Sequence, residues 1–190
     1  MTALRIAGFA ALLAAVLPVS AEPVTYRLDP AHTKVHWEVR HFGTSTHRGR
    51  FDTVDGSIVI DRATGRGDVS IGIATASVSS GVPALDGVLR GGSFLAAEDH
   101  PTAYFVASRL RFDGERLHEL RGEFTLRGVS RPLSLTAMNF ACRTDERLKR
   151  EVCGGDFEAE IRRSDYGSTF GLPFVGDDVR LQIAVEAIRE

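Results

Sequence analysis

The amino-acid sequence predicts an all-β fold, an eight-stranded antiparallel barrel with one short helix, and three observations carry that expectation. First, charged and apolar residues alternate without a slip from Lys34 to His41: Lys34, His36, Glu38 and Arg40 fall on one face, Val35, Trp37, Val39 and His41 on the other. Second, the same alternation returns near the end of the chain, where Val179, Leu181, Ile183, Val185 and Ala187 oppose Asp178, Arg180, Gln182 and Glu186. Successive strand side chains point to opposite faces, so this period describes strands that are wet on one side and buried on the other. At about 3.3 Å per residue such a strand spans roughly 33 Å, longer than the usual strand of about 5–6 residues. Third, the strand-like segments follow one another with no repeat or low-complexity linker from Glu22 to Glu190. Consecutive hairpins that close on themselves leave no exposed edge, which favours a barrel over a sandwich.

Taken in order, a short lead-in at Thr25–Leu28 precedes a long strand over Lys34–Phe42. A second strand is expected over Arg48–Asp61, with a bulge or bend at Asp55-Gly56. The run Ala63-Thr64-Gly65-Arg66-Gly67 reads as a turn, after which Val69, Ile71 and Ile73 restart the alternation as far as Val78. The period then changes: Leu85, Val88 and Leu89 sit at i, i+3 and i+4, so Pro83–Arg90 is a short helix facing the sheet, stopped by Gly91-Gly92. The next strand, Ala103–Phe112, has no settled face, because Tyr104, Val106, Leu110 and Phe112 oppose Phe105. Asp113-Gly114 predicts a type I′ hairpin into Leu117–Leu126. Leu133, Leu135 and Ala137 carry a further strand towards Cys142, Phe157, Ala159 and Ile161 another, and Asp178–Ile188 the last.

The chain ends and composition narrow the class. Arg5, the apolar run Ile6–Leu17 and the small residues Val19-Ser20-Ala21 predict a secretory signal peptide over residues 1–21, too short for a comfortable membrane span. Removal of the leader leaves one domain, residues 22–190, with a sizeable core. The formal charge is −2, and −3 without Arg5, which steers the chain to neither nucleic acid nor an anionic membrane. The two cysteines, Cys142 and Cys153, fit neither a zinc pair nor a Cys-x-x-Cys motif. In an exported chain they read as a disulfide between two strands, stabilising by about 3 kcal/mol through chain entropy.

No residue set asks for catalysis. His32 and His36 lack the glutamate of a His-Glu-x-x-His motif, and His36 and His41 point to opposite faces, so no metal is expected. His41 shares the apolar face of Val35, Trp37 and Val39; it reads either as a satisfied core residue or as a polar contact at the barrel mouth. His47, His100 and His118 read as surface or turn residues. No serine sits in a Gly-x-Ser-x-Gly elbow, and no glycine-rich phosphate loop or dinucleotide fingerprint occurs. Arg162-Arg163-Ser164-Asp165-Tyr166-Gly167 reads as a structural corner or as a binding loop.

Several blocks, in order, resemble a known family. Tyr26-Arg-Leu-Asp-Pro-Ala-His-Thr-Lys-Val-His-Trp-Glu-Val-Arg-His-Phe-Gly43 resembles the opening of the YceI-like, polyisoprenoid-binding proteins. Gly49-Arg-Phe51, Phe94 with His100-Pro101-Thr102, Gly122-Glu-Phe-Thr-Leu-Arg-Gly-Val-Ser-Arg-Pro132, Arg163-Ser-Asp-Tyr-Gly167 and Val175-Gly-Asp-Asp-Val179 continue the likeness over nearly all of the mature chain. The cysteine pair resembles one branch of that family; Ser168-Thr169 departs from it where a methionine is common. The resemblance implies a lipocalin-like barrel with a tunnel for a long isoprenoid and a periplasmic residence, and it does not imply catalysis; no enzyme activity and no cofactor are expected.

Parity and motif position then select an apolar tunnel lined by Val35, Trp37, Val39, Ile71, Ile73, Phe124, Leu126, Leu135, Phe157, Ile161, Leu181 and Ile183, with His41 and Arg163 at a polar mouth. The expected partner is a long-chain isoprenoid, quinone or similar lipid; transient membrane contact and a homodimer stay open. The competing reading is a packed barrel serving as a protein-interaction or stress-response module without lipid, and a lipid-modifying enzyme ranks third. Export of the full-length precursor is expected to yield a mature protein beginning at Glu22; an intact mass that retains the leader would refute the cleavage after Ala21.

Overall fold

The computed structural model describes residues 22–62 and 64–190. The leader expected over residues 1–21 and Ala63 of the expected turn lie outside the described residues. The elements are β1 (Val24–Leu28), β2 (Lys34–His41), β3 (Ser45–Phe51), β4 (Val54–Asp61), β5 (Arg66–Ala74), β6 (Val78–Ser79), α1 (Pro83–Arg90), β7 (Thr102–Asp113), β8 (Arg116–Leu126), β9 (Val129–Ala137), β10 (Ala141–Asp145), β11 (Arg150–Arg162) and β12 (Val175–Arg189). Single 3-10 turns occupy Thr75–Ser77 and Arg163–Tyr166. Among the described residues no helix is long and apolar enough to cross a membrane.

All strands join one antiparallel sheet in the order β10-β11-β9-β8-β7-β5-β4-β1-β12-β2-β3-β6, and β11 also pairs with β12. That last ladder, from Val152↔Ile188 to Arg162↔Asp178, closes a ring. The ring is the expected all-β, lipocalin-like barrel, but its strand count and route differ from the simple expectation. Eight of the twelve strands close it, while β2, β3 and β6 extend from β12, and β10 from β11. A plain up-and-down meander is excluded because β12 serves three neighbours. One of its edges pairs with β11; the other pairs with β2 over Val175–Ala184 and with β1 over Ala187–Arg189.

Three local expectations are corrected. The strand expected over Arg48–Asp61 is two strands, interrupted at Asp52-Thr53, whose backbone is tied to Ser77 and Ala74 instead of continuing a ladder. Gly56 is not a bend; it pairs with Ile71, and a Cβ there would lie 2.3 Å from the Ser70 carbonyl oxygen. The β7–β8 turn is Gly114-Glu115, between the paired Asp113 and Arg116, with positive φ at Gly114 alone. That is the type II′ pattern; the type I′ pattern appears one hairpin later, where Arg127 and Gly128 both have positive φ.

The unsettled face of β7 has a specific cause. Its ladder with β8 shifts register between Ala107 and Arg109. Ser108 is therefore an extra residue, and it reverses the parity. Ala103, Phe105 and Ala107 face inwards before the bulge and Leu110 after it, while Tyr104 and Val106 face solvent.

The pairing directions define two ends of the barrel. At one end lie the 114–115 turn, the 138–140 connection and the 146–149 turn, and there Leu110, Leu117 and Leu120 are buried while Phe112 and Phe140 meet edge-on at 6.3 Å. At the other end lie the 42–44 turn, α1 with its flanking segments, the 127–128 turn and the 163–174 segment. The first end is packed shut. The second is not.

Close sheet packing also dictates Gly122, where a Cβ would lie 2.0 Å from the Val106 carbonyl oxygen and 2.7 Å from the Ala107 Cβ. Gly122→Ala is expected to destabilise the fold by about 1–3 kcal/mol through overpacking. Urea unfolding checks this, and an unchanged midpoint would refute it.

Candidate functional site

Between the packed end and the open end the barrel encloses a cavity of about 340 Å³ with an almost wholly apolar wall, within the range of small-molecule sites. Its origin is the period-two pattern. On β2, Val35, Trp37, Val39 and His41 face the cavity; on β12, Val175, Val179, Leu181, Ile183 and Val185 do the same. Trp37 lies opposite Gly49 of β3, and a Cβ at Gly49 would come within 2.3 Å of the indole ring. Glycine at that register position is what leaves room for the tryptophan. The Trp37 Nε1 is buried and makes no hydrogen bond.

Of the twelve tunnel residues selected from the sequence, eleven lie on this wall: Val35, Trp37, Val39, Ile71, Ile73, Phe124, Leu126, Leu135, Ile161, Leu181 and Ile183. Phe157 does not. It is buried, but it pairs with Ile183 and Ala137 and packs in the core away from the cavity wall. Parity tells inward from outward; it does not tell how far along the barrel the cavity reaches.

His41 is at the open end and is not alone there. Its ring stacks on His47 at 4.1 Å with an interplanar angle of 19°, and Phe42 meets it edge-on at 4.7 Å. His47, expected at the surface, therefore belongs to the cavity wall. Its partner in the β2–β3 ladder is Val39, on the same inward face as His41, and only the hairpin register reveals this.

Arg163 also reaches the wall, but its donors are directed elsewhere. It is 5% exposed, and Nε donates to the Gly176 carbonyl at 2.8 Å, Nη1 to Ser168 at 2.7 Å and Nη2 to Val175 at 2.8 Å. The guanidinium thus braces the 168–176 segment, with the Phe94 ring 5.9 Å away as a cation–π partner. Burial lowers its affinity for its proton, an effect that the Asp177 charge partly offsets. Asp177 in turn receives hydrogen bonds from the Ser164 amide at 2.8 Å and hydroxyl at 2.7 Å. The Arg162–Gly167 block is therefore a structural corner, with Gly167 in the left-handed conformation at φ 75°.

The open end is roofed by residues that the strand pattern could not place. Leu85, Val88 and Leu89 of α1 line the cavity together with Phe94, Leu95 and Phe170. The helix was expected to lie on the sheet; it sits over the mouth instead, and Val88 stays 53% exposed. Its i, i+3, i+4 pattern was legible, but what that face meets was not. Remote from this site, Cys142 and Cys153 form a disulfide with an S–S distance of 2.08 Å between directly opposed residues of β10 and β11. Among the described residues they and Glu151 are the one cluster of metal-ligand type, and the disulfide occupies both sulfurs.

Comparison with known proteins follows the same lines. A UPF0312 protein of Pectobacterium atrosepticum is 30% identical over 174 residues, 90% of each chain. Protein YceI of Escherichia coli O157:H7 is 29% identical over the same length and the same shares. The crystal structure of the Campylobacter jejuni YCEI protein superposes with a TM-score of 0.65 at 26% identity, covering 80% of this chain and 90% of that one. A polyisoprenoid-binding domain from Saccharophagus degradans shares the fold, with a TM-score of 0.63 at 16% identity over 88% and 99% of the two chains. The family model of the YceI-like domain matches residues 26–187, so the chain belongs to the YceI-like family.

Proposed function

We propose that the chain is a periplasmic carrier or sequestering protein for a long apolar lipid, a polyisoprenoid such as a quinone or prenyl chain. The observation that carries this reading is the cavity itself: a barrel of this size can fill its interior with side chains or hold a slender ligand. Here the wall from Val35 to Ile183 leaves about 340 Å³ open at one end. That favours a ligand over the packed interaction module. The polyisoprenoid-binding neighbour on the same fold supports the class of ligand. The apolar run at residues 6–17 supports export.

Affinity in such a site comes from the tail. Burying apolar surface stabilises by about 25 cal/mol per Å², and the wall offers few polar groups to read a head group. The donors of Arg163 are largely occupied by carbonyls, so His41, His47 and Ser168 are the polar side chains that the wall offers near the mouth. Selectivity then follows the bore and length of the cavity. No bond is made or broken in this reading, and no cofactor is invoked.

Two outcomes follow. Mature protein purified without detergent is expected to carry a discrete lipid adduct in native mass spectrometry, extractable as an isoprenoid. Added isoprenoid quinone is expected to quench Trp37, the single tryptophan of the chain. A clean apo mass with no uptake and no quenching would instead establish the packed-module reading. Second, Phe124→Glu is expected to abolish lipid retention while keeping the strand signal in circular dichroism, whereas His41→Ala should weaken retention only about two- to fivefold, the scale of one modest polar contact. Equal retention by both variants would refute the tunnel assignment.

A further inference from the structure

The cavity has a floor as well as a mouth. On β7 and β8 the last inward residues that line it are Phe105 and Phe124, which pair with each other. The next inward positions, Ala107 and Gly122, are also paired but lie off the wall. Beyond them Leu110, Leu117 and Leu120 are buried, and Phe112 meets Phe140 edge-on. Side chains thus seal the far end, and a chain that enters at the mouth cannot run through the barrel. A blind apolar cavity limits its guest by both volume and length.

Both limits follow from the geometry. An apolar cavity of about 150 Å³ holds one benzene ring. The cavity here measures about 340 Å³, which corresponds to roughly 14 carbon atoms on the same scale. Depth gives a separate measure. Thr33, just before β2, and His41 at its end both face the cavity, eight residues apart. At about 3.3 Å per residue and a strand tilt of about 40°, that spacing is roughly 20 Å along the barrel axis. An extended chain advances about 1.2 Å per atom, so an isoprene unit, with four atoms in line, takes roughly 5 Å. Volume and depth therefore agree on about three to four isoprene units.

We infer that the cavity measures its guest: it takes about fifteen to twenty carbons of an apolar chain, and a longer tail leaves its remainder outside the wall. This rests on the carrier reading and narrows the tail that reading names. Up to the limit each added unit buries apolar surface and tightens binding; past it, added carbons stay in water and contribute little. The Phe105–Phe124 pair is the stop. Phe105 is 5% exposed and lies between Ile71 and Phe124 in the ladders. Ala103, two residues nearer the mouth, lines the same wall with only a methyl group.

The experiment is titration of lipid-free mature protein with isoprenoid quinones that share one head group and carry tails from two isoprene units to eight, read by quenching of Trp37. Each unit up to the third or fourth is expected to lower Kd by about tenfold or more, and each unit beyond by less than about twofold. Wall variants are expected to move this limit in opposite directions. Phe105→Ala, and Phe105→Leu with its smaller loss of packing, lower the floor and shift the limit to longer tails. Ala103→Leu fills the cavity and shifts it to shorter ones. A Kd that keeps falling by the same factor to eight units overturns the inference, as does a Kd independent of tail length or a limit that no variant moves. In each of these cases the quinone still binds and the carrier reading stands. Binding of no quinone at any length would remove the carrier reading and the length limit together.

Discussion

The ladder between β11 and β12 is the interaction on which the rest of the molecule depends. Eleven consecutive residues of each strand pair without a register shift, from Val152↔Ile188 to Arg162↔Asp178. Without this seam the sheet would be an open ribbon with two long edges and a naked apolar face. With it, every inward residue of the eight ring strands faces a common interior. The seam also explains why β12 is the longest strand, since its opposite edge must receive both β1 and β2.

Closure creates an interior but does not decide how it is filled. At one end large side chains from facing strands meet, and the core is solid. Towards the other end the wall keeps aliphatic and aromatic residues around a cavity, Trp37 among them, with Gly49 vacated to receive the indole. The roof over that end is not a strand at all; it is α1 and the 163–174 segment, held to the barrel by hydrogen bonds from arginine side chains to backbone carbonyls. Arg163 is buried for this purpose, and Arg127 ties the 127–128 turn to Gly92, Phe94 and Tyr166. A guanidinium with several directed donors can satisfy carbonyls that a loop cannot satisfy itself.

The same arrangement gives the two ends different surfaces. Ion pairs occur at both ends, Arg143–Asp145 at the packed end and Arg162–Asp177 at the open end, and the packed end also carries the disulfide. The open end carries aromatic side chains that have no core to enter, because the space beneath them is the cavity. Val88 and Phe170 both line the cavity and reach the surface at that end.

By itself, the sequence determined the class of the fold and most of the wall. Period two along β2 and β12 assigns inward and outward faces from local stereochemistry, and the helix at Pro83–Arg90 follows from a local change of period. The family likeness was legible for a similar reason, as ordered blocks along the chain. Tertiary structure alone decided the rest, because it depends on residues that meet only after folding. The Ser108 bulge settled the face of β7, the β2–β3 register brought His47 to the wall, and the packing of Phe157 placed it off the cavity. The direction taken by the donors of Arg163 was set by the path of the 168–176 backbone. Strand faces are written in neighbouring residues; the depth of a cavity and the identity of its roof are set by long-range pairing.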